Sequence, residues 1–181
     1  MQSNLLRGAA EDFLWAAGIE DTFVPQVRNG HRPLDEYELL GHYDHWREDI
    51  ALGSELGLKA MRWGVPWYRV NPAPGVFDWS WIDPDLDHLV NKVGCVPIID
   101  LMHYGTPLWM ENAFINASYP ERIAEYAYTF ADRYRESTMG YRIVSISYLG
   151  LTRERAAAGQ HEPGWQNWYR YFPWEDRRDG S

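Results

Sequence analysis

The sequence predicts an α/β fold: three to four βα units forming the N-terminal part of a parallel (β/α)8 TIM barrel. Three observations carry this expectation. Short apolar segments alternate with segments of helical period along the chain, and such alternation builds a parallel sheet covered by helices. No glycine-rich phosphate loop follows the first apolar segment, as a dinucleotide-binding open sheet would require. Polar and aromatic residues gather just after each predicted strand, on the face where barrels place their chemistry. Open doubly wound sheets share the alternation, so the last two observations favour the barrel. The 181 residues fall short of the ~250 of a complete barrel.

Phe13 to Ile19 is apolar and short, which predicts the first strand. Residues 20–40 hold Pro25, Asn29-Gly30 and Pro33, turn chemistry that predicts a long loop. Tyr43 to Leu56 predicts a helix with Trp46, Ile50 and Leu56 roughly on one face and Gly57 just beyond its end. Lys59 to Val65 predicts the second strand. Residues 68–81, with Pro72, Pro74 and Gly75, predict a second loop.

Asp83 and Pro84 then read as an N-cap and the first helical position. Leu86, Leu89, Val90 and Val93 continue at helical spacing up to Gly94. Val96 to Leu101 is a compact apolar run suited to a strand buried on both faces, and a loop over Met102 to Ala117 follows. Ser118 and Glu121 match a capping box. Ile123, Tyr126, Ala127, Phe130, Ala131 and Tyr134 repeat at helical period, the firmest helix in the chain. Tyr141 to Leu149 predicts a fourth strand. These elements place a partial barrel domain in residues 1–150 and an irregular aromatic-rich tail in 151–181.

Composition narrows function by exclusion. The net charge is −9 and no cluster of Lys and Arg exists to track phosphates, so nucleic acid is not an expected partner. No apolar run approaches the ~18 residues of a membrane span, and no secretory leader is recognisable at the N-terminus. A cytoplasmic location is the default. The single cysteine, Cys95, reads as a small buried thiol rather than a nucleophile. His42, His45 and Asp49 can share a helical face, and Asp83 to Asp87 is an acidic run. Both read as ordinary helix surface or capping, so no metal and no cofactor is expected.

Residues Asp44 to Arg62 closely resemble the first helix and second strand of glycoside hydrolase family 1, the β-glucosidase family. Trp67, Tyr68, Arg69 and Val70 resemble that family's W-P-R-I continuation. Pro97 to Pro107 resembles its P-x-x-T-L-x-H-W-x-x-P third strand, and Phe13 to Ala17 its opening F-L-W-G-A. The resemblance covers residues 13 to 135, in order and in spacing. It implies a (β/α)8 barrel and retaining hydrolysis of β-glycosides by two glutamates, one in a T-F-N-E-P motif at strand four and one in an E-N-G motif at strand seven.

Carried over residue by residue, the resemblance makes His103 a sugar-binding histidine and Arg62 an arginine at the floor of the site. It makes Trp67 a wall residue that serves the core equally well. Tyr104 stands where the family has tryptophan. The family's strand-one glutamine is unmatched, since an ungapped reading puts Phe23 there. Glu20 and Asp21 are the nearest polar replacements. Trp109 can line an outer subsite or simply pack.

Neither catalytic glutamate is matched. The strand-four window, Tyr141 to Leu149, contains no glutamate. His161-Glu162-Pro163 is similar to N-E-P but lies well past that strand, leaving Glu162 as the only candidate acid. The functional expectation is a family 1-like protein that is catalytically incomplete and takes a β-linked sugar. The alternatives are a non-catalytic carbohydrate-binding module and a structural half-barrel that self-associates through unpaired sheet edges.

Overall fold

A computed structural model of the chain describes residues 15–134, except 26, 28 and 29, and the backbone of residues 143–147. The expected tail and Glu162 lie outside the described residues.

Four strands form one sheet in the order β1 (Ala16–Gly18), β4 (Ala60–Gly64), β5 (Val96–His103) and β6 (Ile143–Ser147). Every neighbouring pair is parallel. Spatial order follows chain order with no reversal, whereas a doubly wound sheet reverses at its switch point. The sheet is therefore singly wound, as in a barrel.

Residues 20–40 are not all loop. A two-residue antiparallel pair, β2 (Phe23–Val24) with β3 (Leu34–Asp35), and a single-turn helix α1 (Glu36–Leu39) occupy part of it. Strands this short carry no readable period. Tertiary contacts hold them: the Phe23 ring stacks on Tyr68 with centroids 3.5 Å apart, and Asp35 caps α1 by accepting the Glu38 backbone N–H at 3.3 Å.

Helix α2 (His42–Glu55) buries His42, Trp46 and Ile50, which recur every fourth residue. Leu56 does not share that face. It follows the last helical residue and is 79 % exposed. Gly57 turns the chain with φ +77°, a left-handed conformation that glycine adopts without strain. The stretch 68–81 also departs from a plain loop, holding the last residues of the short helix α3 (Trp67–Val70) and a 3-10 turn at Trp79–Trp81.

Helix α4 (Asp83–Asp87) begins at Asp83 itself, with Ile82 in the cap position, so Asp83 is not the N-cap. Its carboxylate instead accepts from Arg133 Nε at 3.0 Å and the Tyr134 hydroxyl at 2.7 Å, both on α5 (Tyr119–Tyr134). A π-helical turn at His88–Lys92 continues α4. The capping box is not formed either. Ser118 offers only its backbone, donating to Asn116 Oδ1 at 2.8 Å and accepting from the Arg122 N–H at 3.0 Å. Helix α5 buries Tyr119, Ile123, Tyr126, Ala127, Phe130 and Tyr134, while Ala131 turns to solvent.

Alternation along β4 sends Met61 and Trp63 toward the helices and Ala60, Arg62 and Gly64 to the opposite, lumen face. On β5, Ile99 and Leu101 join the helical side. Ile50, Trp63, Leu86, Leu89, Ile99, Ile123 and Phe130 form a nearly solvent-free layer there. Tyr126 lies parallel to Trp67 at 5.2 Å and to Trp79 at 6.2 Å, a stack whose burial stabilises the fold by ~3 kcal/mol per ring. No helix among the described residues is long and apolar enough to cross a membrane.

Candidate functional site

Arg62 stands in the middle of an apolar strand because the lumen face around it is built small. Gly18 of β1 lies beside it in register, and a Cβ on Gly18 would come within 2.8 Å of Arg62 Cβ. Gly64, one position further along the same face, leaves room for Asp21. A Cβ there would sit 1.7 Å from Asp21 Oδ2.

The guanidinium gathers three neighbours. Nε and Nη2 both donate to Asp100 Oδ2, at 3.0 and 2.6 Å. Nη2 also approaches Asp21 Oδ1 at 3.0 Å and His103 Nδ1 at 2.8 Å. A guanidinium only donates. His103 Nδ1 therefore accepts, and the ring proton sits on Nε2, where it is donated to Glu20 Oε1 at 2.8 Å. Thr22 Oγ1 donates to that same oxygen at 2.6 Å.

Strict alternation would put Asp100 and His103 on opposite faces of β5. A register shift between them, seen in the pairing of β5 with β6, brings both to Arg62. Tyr104 follows at φ +61° and meets the His103 ring edge-to-face at 4.4 Å, with its own ring partly exposed.

Burial grades the acidic groups. Asp100 is fully buried and Asp21 nearly so, whereas Glu20 is half-exposed. Burial, reinforced by the neighbouring Asp100 charge and opposed by Arg62, pushes Asp21 up to about 7. Glu20 moves the other way, lowered by the hydrogen bond from the Thr22 hydroxyl, by the Arg62 charge and by the hydrogen bond from His103. Burial disfavours the Arg62 charge, but the Asp100 hydrogen bond and the Asp21 charge raise its pKa overall. The result is a floor of fixed charges with one ionised, accessible acceptor, Glu20, at its rim.

Metal-binding atoms of Glu20, Asp21 and His103 lie within 4.8 Å of one another. They do not suit a cation, because Arg62 donates to both Asp21 and His103 Nδ1 and would oppose a second positive charge.

The other sequence candidates divide. Trp67 is buried against Tyr126, with its Nε1 donating to Asn71 Oδ1 at 3.2 Å, and it also lines a small cavity with Asp21 and His103. Trp109 donates its Nε1 to the Asn71 carbonyl at 2.8 Å, which fixes the loop after β5. His42 is buried, held to Asp49 at 2.6 Å and packed against Tyr37 and Trp63. Its pKa is lowered by burial despite Asp49.

Asp100 was missed from sequence. The signal was a carboxylate inside an otherwise apolar strand, which a buried chain tolerates only with a paired cation. Tyr37, whose hydroxyl oxygen accepts the Gly64 N–H at 3.2 Å, carried no readable signal.

Comparison with known proteins places this geometry. The family model for glycosyl hydrolase family 1 matches residues 14–171, extending beyond residue 135, where the recognisable motifs end. β-Glucosidase A of Thermotoga maritima is 25 % identical over 137 residues, 72 % of this chain and 30 % of that protein. An aryl-phospho-β-D-glucosidase of Bacillus subtilis is 32 % identical over 83 residues, 43 % of this chain and 17 % of its own length. Among solved structures, an exo-β-1,4-mannosidase from an Opitutaceae bacterium shares the fold with a TM-score of 0.57 and 19 % identity, over 80 % of this chain and 26 % of that one. The chain thus spans under a third of the length of these relatives. With most of its length matched by the family model, the chain belongs to glycosyl hydrolase family 1.

Proposed function

We propose that the Glu20–His103–Arg62–Asp100 chain is the glycone-holding part of a β-glycosidase site, and that this 181-residue chain binds a β-linked sugar without hydrolysing it at a useful rate. The observation that carries the reading is the oriented histidine, whose Nδ1 faces Arg62 and whose Nε2 faces the half-exposed Glu20 carboxylate. Such an edge offers a hydroxyl one fixed donor and one charged acceptor.

Charge refines the ligand. Two carboxylates contact the one guanidinium and a third, Glu20, holds the neighbouring histidine, which favours a neutral glycone over the phosphorylated sugars named for the Bacillus subtilis relative. Retaining hydrolysis requires a nucleophile and an acid/base carboxyl ~5–5.5 Å apart, across the scissile bond. Asp21 and Asp100 are occupied with Arg62 on the floor of the site, and the window around β6 contains no glutamate. Positioning without covalent and proton-transfer steps leaves most of the barrier standing.

The test is purified protein with chromogenic β-glucoside and β-galactoside, beside direct binding of methyl β-D-glucoside. Binding weakened about tenfold by Glu20→Ala or His103→Ala, with no turnover, is the expected result. Robust turnover abolished in a Glu162→Gln variant would overturn the non-hydrolytic reading. A cytoplasmic location belongs to the same proposal, motivated by the single free, buried cysteine; cell fractionation tests it.

A further inference from the structure

Outside the lumen cluster, one cavity combines aromatic walls with a carboxylate that accepts no hydrogen bond from the described residues. It lies between the N-terminal parts of α2 and α4, is about 270 Å³ in volume, and is lined by Tyr43, Trp46, Ser80, Trp81, Pro84 and Asp85. Asp85 is only 9 % exposed. Among the described residues no donor reaches its carboxylate, and its sole charged influence is Arg47. A buried ion without a hydrogen-bonding partner is costly, and here it faces the cavity.

The walls show what can enter. Arg47 lies over the Trp46 ring at 4.0 Å, and Arg69 over Tyr43 at 4.3 Å and Trp81 at 4.8 Å. All three rings already carry a guanidinium on a face. An added organic cation would meet those two positive charges, and an anion would meet Asp85. A neutral polyol avoids both conflicts. The C–H face of a pyranose can lie against the part of the Trp81 ring that lines the cavity, because its weakly positive hydrogens suit the negative π surface. Its hydroxyls can donate to Asp85 and to Ser80 Oγ, whose own proton is committed to Asp78 at 2.6 Å. The volume lies just below the ~300–1,000 Å³ of sites for drug-sized ligands, which suits one sugar ring.

We propose that this cleft is a second binding site, for a single neutral sugar unit, with Asp85 as the hydroxyl acceptor and Trp81 as the stacking wall. It lies on the helical shell and shares no residue with the strand-end cluster.

The full chain, with 15N-labelled tryptophan indoles, is titrated with methyl β-D-glucopyranoside and, separately, with tetramethylammonium chloride. Trp46→Phe and Trp81→Phe assign the resonances. The glucoside is expected to shift the Trp81 indole saturably. Asp85→Ala is expected to weaken that response about tenfold or more, the loss of one charge-assisted hydrogen bond, and Ser80→Trp, which fills the cavity, is expected to abolish it. A Glu20→Ala/His103→Ala double variant keeps the Trp81 response. That variant also separates the two sites, because failure of the strand-end reading leaves the Trp81 titration unchanged. The proposal is overturned if Trp81 does not respond to the glucoside, if it responds to tetramethylammonium instead, or if the Ser80→Trp variant responds like the parent. A crystal structure with a side chain of the same chain filling the cleft would overturn it as well.

Discussion

Arg62 Nη2 carries two protons and faces three acceptors on Asp100, Asp21 and His103. The cluster is therefore rich in acceptors, and Asp21 carries the strain of it. With its folded value near 7 against an ordinary 3.8, Asp21 binds its proton more tightly in the native state than in the unfolded chain. Stability then falls as pH rises from about 4 to 7, and the penalty is fully present above 7. Asp85 behaves alike, raised by burial to about 7. Thermal or urea unfolding at pH 5 and pH 8 should show the parent losing stability at the higher pH, by on the order of 2 kcal/mol per carboxylate. Asp21→Asn should reduce that loss, and a slope unchanged by the substitution would refute the assignment. Gly64→Ala is the complementary prediction. Its Cβ overlaps Asp21, so it should destabilise the parent by ~2 kcal/mol or more. In an Asp21→Ala background the denaturant midpoint should fall far less. At this scale, His103 and Arg62 were legible through motif, and Glu20 and Asp21 only as the polar residues nearest the unmatched strand-one glutamine. Asp100 was not, because its partner lies 38 residues away on a neighbouring strand.

The elements divide by how much of their energy is local. Helix α5 was legible because its period is long and its buried face is apolar throughout. The β2–β3 pair and α1 were not, since they depend on Phe23 stacking against Tyr68 and on Asp35. Asp35 also accepts from Arg69 at 2.8 Å and Tyr68 at 2.9 Å, drawing α1 and α3 together. The start of α4 was misread for a related reason. Asp83 satisfies the local rule for an N-cap, but the Arg133 guanidinium and Tyr134 hydroxyl of α5 hold its carboxylate instead. That tie is partly exposed. Asp83→Ala should therefore cost only ~1 kcal/mol globally, with the loss read as faster amide exchange at the end of α5. Equal loss of protection throughout the sheet would mean the contact acts on the whole fold.

For the molecule as a whole, the alternation of strand and helix, the absence of a phosphate loop and the polar and aromatic residues after each strand were enough to read part of a parallel barrel. How the sheet's edges are completed was not readable, because pairing of outer edges depends on residues distant in sequence. All three residues of β1 are exposed, and Trp15 before it is 65 % exposed. An exposed edge of this kind invites pairing with another strand. Light scattering on the purified chain should accordingly show species larger than a monomer, increasing with concentration. A monodisperse monomer with a cooperative melt would mean that residues beyond those described cover the β1 edge.

Three of the crowded glycines have a consequence for inheritance. Gly18 faces Arg62, Gly64 faces Asp21 and Gly105 faces Phe23, each with an added Cβ within 3 Å of its neighbour. Every pair joins positions far apart in the gene, but the Cβ atoms of Arg62 and Phe23 hold Gly18 and Gly105 whatever the rest of those side chains, whereas Gly64 is crowded mainly by the Asp21 carboxylate. A substitution at position 64 that is lethal beside aspartate becomes permissible once position 21 has shrunk, while the reverse order of events is closed. Positions 21 and 64 drift as a pair and in one direction. In a library of random variants selected for folding, replacements of Gly64 should be recovered almost entirely from clones already altered at Asp21.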